Sequence, residues 1–180
     1  MLLNRINPWK LAVRLGLMLV VTLIAPMGAA AGQDELAAVR QATARFHDVD
    51  AAIAAGYELG YVNGFGIRII TGCVAHPTAG AMGYHYFNKQ LIDDNIVDVL
   101  RPEGLVYSPG PDGKLQLAAV EYVVPGALSN PRGVDEAPSV FGREMVILVP
   151  QVGFYTLHAW IWSNNPAGLF AHWSPEVSCT

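Results

Sequence analysis

The hydrophobic pattern changes period once, at Tyr57, and that change decides the fold class. Upstream, between residues 34 and 55, Leu36, Val39, Phe46, Val49 and Ile53 recur at spacings of three, four and seven, with Ala42 and Thr43 filling the stripe. This spacing predicts one amphipathic helix. Asp34 and Glu35 stand at its positive end, Gly56 suits its C-terminal cap, and Gln41, Arg45, His47, Asp48 and Ala52 face water. Downstream the signals are short β-rich runs separated by Gly, Pro, Asn and Asp. They predict strands over residues 67–71, 82–87, 104–107, 114–124, 145–149 and 154–163, with hairpin turns at 108–113 and 150–153. A short helix is expected over residues 90–100, ending before Pro102. Residues 125–142, irregular and rich in Pro and Gly, read as a surface loop or lid. One helix followed by hairpin-linked strands predicts an α+β fold, the N-terminal amphipathic helix packed on a curved antiparallel sheet. Periodicity does not separate a roll from a partly closed barrel.

The extreme N-terminus has a different character. Arg5, Lys10 and Arg14 precede an uncharged apolar run over residues 15–25, Pro26 and Gly28 follow, and Ala29, Ala30 and Ala31 supply small residues for a cut before Gly32. That is the order of a secretory signal peptide over residues 1–31, and the run is too short for a spanning helix of about 20 apolar residues. The exported part, residues 32–180, has the length of one globular domain. It keeps eight basic residues against fifteen acidic ones, a formal charge of about −7. Such a charge repels nucleic acid and anionic membrane surfaces, so neither is an expected partner after signal cleavage. Both cysteines, Cys73 and Cys179, lie in the exported part. A bridge between them is the simplest arithmetic in an oxidising compartment, and two separate buried thiols are the alternative.

Glu121 is the residue least at home in its surroundings. Strict alternation through residues 115–123 places it on the face of Leu115, Leu117, Ala119 and Val123. A carboxylate on an apolar strand face must be paired, hydrogen-bonded or bound to metal. The same alternation sets His85 with Gly83 and Phe87, opposite Met82, Tyr84 and Tyr86, and sets His158 with Thr156, Trp160 and Trp162. Two readings follow. His85, His158 and Glu121, with His76 or His172 as a fourth ligand, form an N,N,O set suited to a divalent transition metal; or Glu121 is satisfied by an internal ion pair with Arg68, Arg143 or a histidine. Tyr84, Tyr86, Tyr122, Trp160 and Trp162 form a second cluster, either an aromatic core or the lining of a ligand pocket. No dinucleotide fingerprint, phosphate loop or Ser/His/Asp order occurs in a usable context.

The segments Cys73-Val-Ala-His-Pro77, Gly80-Ala-Met-Gly-Tyr-His-Tyr-Phe-Asn88, Ala119-Val-Glu-Tyr122 and Leu157-His-Ala-Trp-Ile-Trp162, continuing through Asn165-Pro-Ala-Gly168 to Trp173 and Cys179, resemble an uncharacterised family of exported bacterial proteins. The resemblance covers most of the exported part and implies export without implying an activity. This chain departs from the family pattern at Phe154 and Thr156, where members carry His and Asp, and over residues 145–152, where members carry a more polar stretch. Three functions are therefore carried forward: an exported binding protein with an aromatic and histidine-lined pocket for a small ligand or metal ion, a metal-dependent enzyme using the His/His/Glu site or Glu121 as general base, and an interaction module without a pocket. N-terminal sequencing of exported protein is expected to begin at Gly32 or within a few residues of it; Met1 retained in a membrane fraction would contradict the leader.

Overall fold

The computed structural model describes residues 27–63, 66–127 and 130–179, with side chains from Gly32 onward, so most of the expected leader lies outside the described residues. Helix α1 (Met27–Thr43) runs into a 3-10 turn at Ala44–His47 and is followed by α2 (Val49–Ala54). The single helix expected over residues 34–55 is interrupted at Asp48. Its backbone is extended and its side chain accepts a hydrogen bond from Asp50 N at 3.0 Å, an N-cap that restarts the helix in a new direction.

The strands are β1 (Tyr57–Leu59), β2 (Tyr61–Val62), β3 (Arg68–Ile69), β4 (Cys73–His76), β5 (Gly80–Asn88), β6 (Gly104–Pro109), β7 (Leu115–Pro125), β8 (Ser139–Val140), β9 (Arg143–Glu144), β10 (Val146–Ile147) and β11 (Phe154–Ala159). Between β5 and β6 the only helix is α3 (Lys89–Asp93), shorter than the one expected over residues 90–100 and capped by Asn88. Seven strands form one antiparallel sheet in the order β1-β5-β6-β7-β11-β10, with β4 pairing β5 beyond the end of β1; β2–β3 and β8–β9 are separate two-stranded ribbons. The fold class is α+β, and the sheet does not close into a barrel among the described residues.

The helical segments cover one face of this sheet. Leu36, Val39, Phe46 and Ala52 pack there with Leu105, Tyr107, Leu117, Val120, Tyr122, Val124, Leu157 and Ala159. Val39 is fully buried, and removing such a side chain from water is worth about 1.5–3 kcal/mol. The tyrosines of this layer spend their hydroxyls on backbone carbonyls: Tyr57 donates to Pro102, Tyr107 to Phe46 and Tyr122 to Val99, at 2.7–2.8 Å.

Two bulges overturn strict alternation. Between β6 and β7 the register moves from Val106↔Ala119 to Tyr107↔Leu117, so Ala118 is an extra residue on β7. Leu115 and Leu117 therefore join the helix-covered face, while Ala119, Glu121 and Val123 occupy the opposite one. Between β4 and β5, Val74↔Gly83 is followed by Ala75↔Ala81, which makes Met82 the extra residue. Met82 lies with His85 rather than with Tyr84 and Tyr86, contrary to the alternation. Gly83 makes this possible: its φ is +111°, and a Cβ there would stand 2.4 Å from the Tyr107 carbonyl oxygen.

The C-terminal tail is tied to the start of β5 and, through the disulfide, to β4. Ala81 and Ser174 exchange backbone hydrogen bonds at 3.0 Å, and Cys73 and Cys179 form a disulfide across 106 residues of chain. Closing a loop of that length removes unfolded-state entropy worth about 4–5 kcal/mol in the chain-entropy model. A Cys179→Ser variant is expected to lose about 2–5 kcal/mol of unfolding free energy in denaturant titration, whereas an unchanged midpoint would show the tail to be held without the bridge.

Candidate ligand cavity

The sheet face away from α1 is not packed solid. It forms the floor of a cavity of about 570 Å³, within the size range of small-molecule sites. Met82, Phe87, Val123 and Phe154 line the floor with His85, Glu121 and Thr156; Ile69, Ile70, Val74 and Ile92 form walls; and Leu148, Val149 and Val152 from the turn between β10 and β11 lie over one side. Tyr61, His76 and Trp173 complete the lining. The covering segment is thus the turn at residues 148–152, not the loop expected as a lid over residues 125–142, whose Val134 and Val140 pack into the helix-side core.

Glu121 and His85 come from strands that are not neighbours. Glu121 on β7 sits opposite Gly104 on β6, and Gly104 in turn opposes Phe87 on β5. The absence of a side chain at Gly104 opens the passage: a Cβ there would lie 2.9 Å from the Phe87 ring and 3.1 Å from Glu121 Cβ. The carboxyl consequently reaches across β6 until Oε2 stands 3.3 Å from His85 Nε2. Their side chains are 9% and 2% exposed. Neither Glu121 Oε2 nor His85 Nδ1 has a hydrogen-bond partner. Burial pushes the carboxyl up, to about 8, and pushes the imidazole down, so the pair rests as a carboxylic acid beside a neutral ring. Phe87 stacks on His85 with ring centroids 5.7 Å apart.

His158 is the cross-strand partner of Glu121 and its ring centre lies 6.0 Å from that of His85. It does not line the cavity. Its Nδ1 donates to the His172 carbonyl at 3.1 Å, its Nε2 is buried without a partner, and burial followed by the neighbouring His85 holds it neutral. His76 lies on the exposed side of the cavity, beside Trp173, and its Nδ1 accepts from the Thr78 and Ala79 amides. Two of the four expected metal ligands, His85 and Glu121, therefore meet, while no three His, Cys, Asp or Glu side chains among the described residues come together to hold a metal ion. Neither arginine proposed to pair with Glu121 does so: Arg68 bonds Glu58 and the Leu59 carbonyl, and Arg143 stacks over Phe170.

The aromatic cluster divides between the faces. Tyr84, Tyr86 and Tyr122 pack in the helix-side core and do not line the cavity. Strand β11 ends at Ala159, short of the expected 163, so Trp160 and Trp162 lie beyond it. Trp160 packs on Val106 and Ala119 and donates its indole N–H to Ala171, whereas Trp162 donates to Thr43 on α1 and meets His47 edge-on. Trp160 and Trp162 instead border a separate surface depression with Arg40 and Leu169.

Sequence reasoning missed the aliphatic walls and a second buried acid. Glu103 is 1% exposed; one oxygen accepts the Val123 amide at 3.0 Å, the other has no partner, and burial pushes it to about 8. Its position between Pro102 and Gly104 carries no periodic signal. The walls had one: residues 145–149 are apolar at every position although Val146, Leu148 and Val149 are exposed, an apolar run that a packed core does not account for.

No protein-family model matches the chain, and no match was found among curated proteins or solved structures.

The raised folded value of Glu121 fixes a pH dependence. The native state holds this proton to higher pH than the unfolded chain, whose glutamates titrate near 4.3. The stabilisation is therefore complete below that value and is lost as pH rises toward about 8, by up to about 1.4 kcal/mol per pH unit. Glu103 acts with the same sign. His85 and His158 act oppositely, adding stability as pH rises up to about 6.5. Between about pH 6.5 and 8 the carboxyls alone set the slope. Denaturant titrations in that window are expected to show a shallower decline for Glu121→Gln than for the parent, and equal slopes would place the charge on Glu121 throughout.

Proposed function

We propose that the protein is an exported binding protein for a small apolar molecule that places a polar group against Glu121 and His85. The observation that carries this reading is a buried carboxyl, one oxygen unpartnered, on the floor of a cavity otherwise walled largely by aliphatic and aromatic side chains. A well-packed core does not keep such a hole, and a carboxyl in apolar surroundings costs several kcal/mol without a partner. A ligand resolves both. The mouth supports the same reading: Ile67, Ile70, Leu148 and Val149 expose 37–59% of their surface on the segments bordering the cavity, where an entering apolar molecule would meet them.

Export is supported by the leader pattern and by the Cys73–Cys179 disulfide, which persists in oxidising compartments. No helix among the described residues is long and apolar enough to cross a membrane. The linked motifs also support membership in the exported bacterial family they resemble. Several of them build the frame: Asn165 bonds the Ala167 amide and the Trp173 carbonyl, and Ser174 is fully buried beside Ala81. In this reading the open sheet is a roll whose concave side is the cavity floor.

Delipidated protein titrated with the uncharged dye Nile red is expected to bind it saturably, with near one-to-one stoichiometry. Val149→Glu, at an exposed position on the mouth, is expected to weaken binding at least about tenfold while leaving the melting temperature near that of the parent. No saturable binding, or unchanged affinity in the variant, would contradict a ligand in this cavity.

A further inference from the structure

We infer that the cavity selects an apolar amine, held as an ammonium group between the Glu121 carboxylate and His85 Nε2. This rests on the cavity being a ligand site and names the chemistry of its inner end.

Among the described residues the lining contains no lysine or arginine. Two cations beside its lining residues are already engaged: Arg68, adjoining wall residue Ile69, is paired with Glu58, and Lys89, above the Tyr61 ring, is paired with Asp93. An anionic head would therefore arrive without a counter-charge and lie against an acid. A cationic head meets the opposite situation. Glu121 is the one carboxyl among the described residues that line the cavity, more than nine-tenths buried, with Oε2 unpartnered. Neutral His85 offers its Nε2 lone pair 3.3 Å from that oxygen, so one nitrogen with several N–H donors can address both. The Phe87 ring stacked on His85 adds an aromatic surface beside the same point.

The other titratable groups in this region leave the assignment intact. His158 on β11 is committed through Nδ1 to the His172 carbonyl, His76 on β4 through Nδ1 to the Thr78 and Ala79 amides, and Tyr61 on β2 donates to Asp93. None supplies a positive charge to Glu121. Protons balance simply. A neutral amine takes the proton of the Glu121 carboxyl and stays as the ammonium; an ammonium entering from solvent displaces that proton to water. Either way the bound state is a carboxylate and an ammonium hydrogen-bonded to each other, the arrangement in which a buried ion pair is tolerated.

The test is displacement of Nile red by decylamine, decanol and decanoic acid, which share a chain and differ in the head. Decylamine is expected to displace the dye at a concentration at least about tenfold below decanol, with decanoic acid weakest. In Glu121→Gln the dye affinity is expected to persist while the advantage of the amine over the alcohol disappears. Decanoic acid displacing as well as the amine, or an undiminished amine preference in Glu121→Gln, would overturn the assignment while leaving the cavity a ligand site. Failure of the parent protein to bind the dye would instead remove the ligand site and this inference with it.

Discussion

The extra residue at Ala118 decides which side chains of β7 reach each face of the sheet. A strand alternates its side chains with period two, so one inserted residue exchanges the faces on either side of it. Before Ala118, Leu115 and Leu117 feed the helix-covered core; after it, Val120, Tyr122 and Val124 do so, and Ala119, Glu121 and Val123 pass to the other side. Without the bulge, either the first or the second half of β7 would present its apolar set to the wrong layer. The extra residue at Met82 does the same for β5, bringing a flexible thioether onto the face of His85. The two-sided sheet, and the separation of a packed layer from a hollow one, follow from these two insertions.

The hollow layer is held together differently from the packed one. On the helix side, three tyrosine hydroxyls and the Trp162 indole each find an acceptor, so polar groups pin the layers together. On the cavity side Glu121 Oε2, His85 Nδ1 and His158 Nε2 are left without partners. Each such group forgoes about 1–3 kcal/mol that a hydrogen bond would return. Neutralising the acid and the two imidazoles lowers this cost without abolishing it. A site that accepts such a cost when empty is preorganised for a polar partner arriving from outside, and the missing side chain at Gly104 is what lets the carboxyl and the imidazole share that partner.

The change of period at Tyr57 correctly conveyed the α+β class, since a long helical stripe and short β runs are local properties. The disulfide was legible as arithmetic, although only the folded path brings Cys73 and Cys179 together. The anomaly of Glu121 was legible because a carboxyl stands out against Ala119 and Val123, and its encounter with His85 was among the expected outcomes. Which residues surround them was not. Bulges at Ala118 and Met82 leave no mark in a hydrophobic pattern, because alanine and methionine fit either face. The tyrosines were misleading for a related reason: an amphipathic ring serves a pocket or a core equally well, and only the position of its hydroxyl, against Val99 for Tyr122, decides. Asp48 shows the same limit for helices, where a capping side chain inside a periodic stripe turned the chain without disturbing the spacing.

Burial favours an uncharged Glu121 beside a neutral His85 on the floor of the apolar cavity. Infrared difference spectroscopy of the ligand-free protein near neutral pH, parent against Glu121→Gln, reads this directly through the carbonyl stretch of a protonated carboxylic acid. The parent is expected to carry such a band, the substitution to remove it, and a protonated band from Glu103 to survive in both proteins. Loss of a carboxylate band instead, with the protonated region unchanged, would show Glu121 to be ionised and the neutral pair to be wrong.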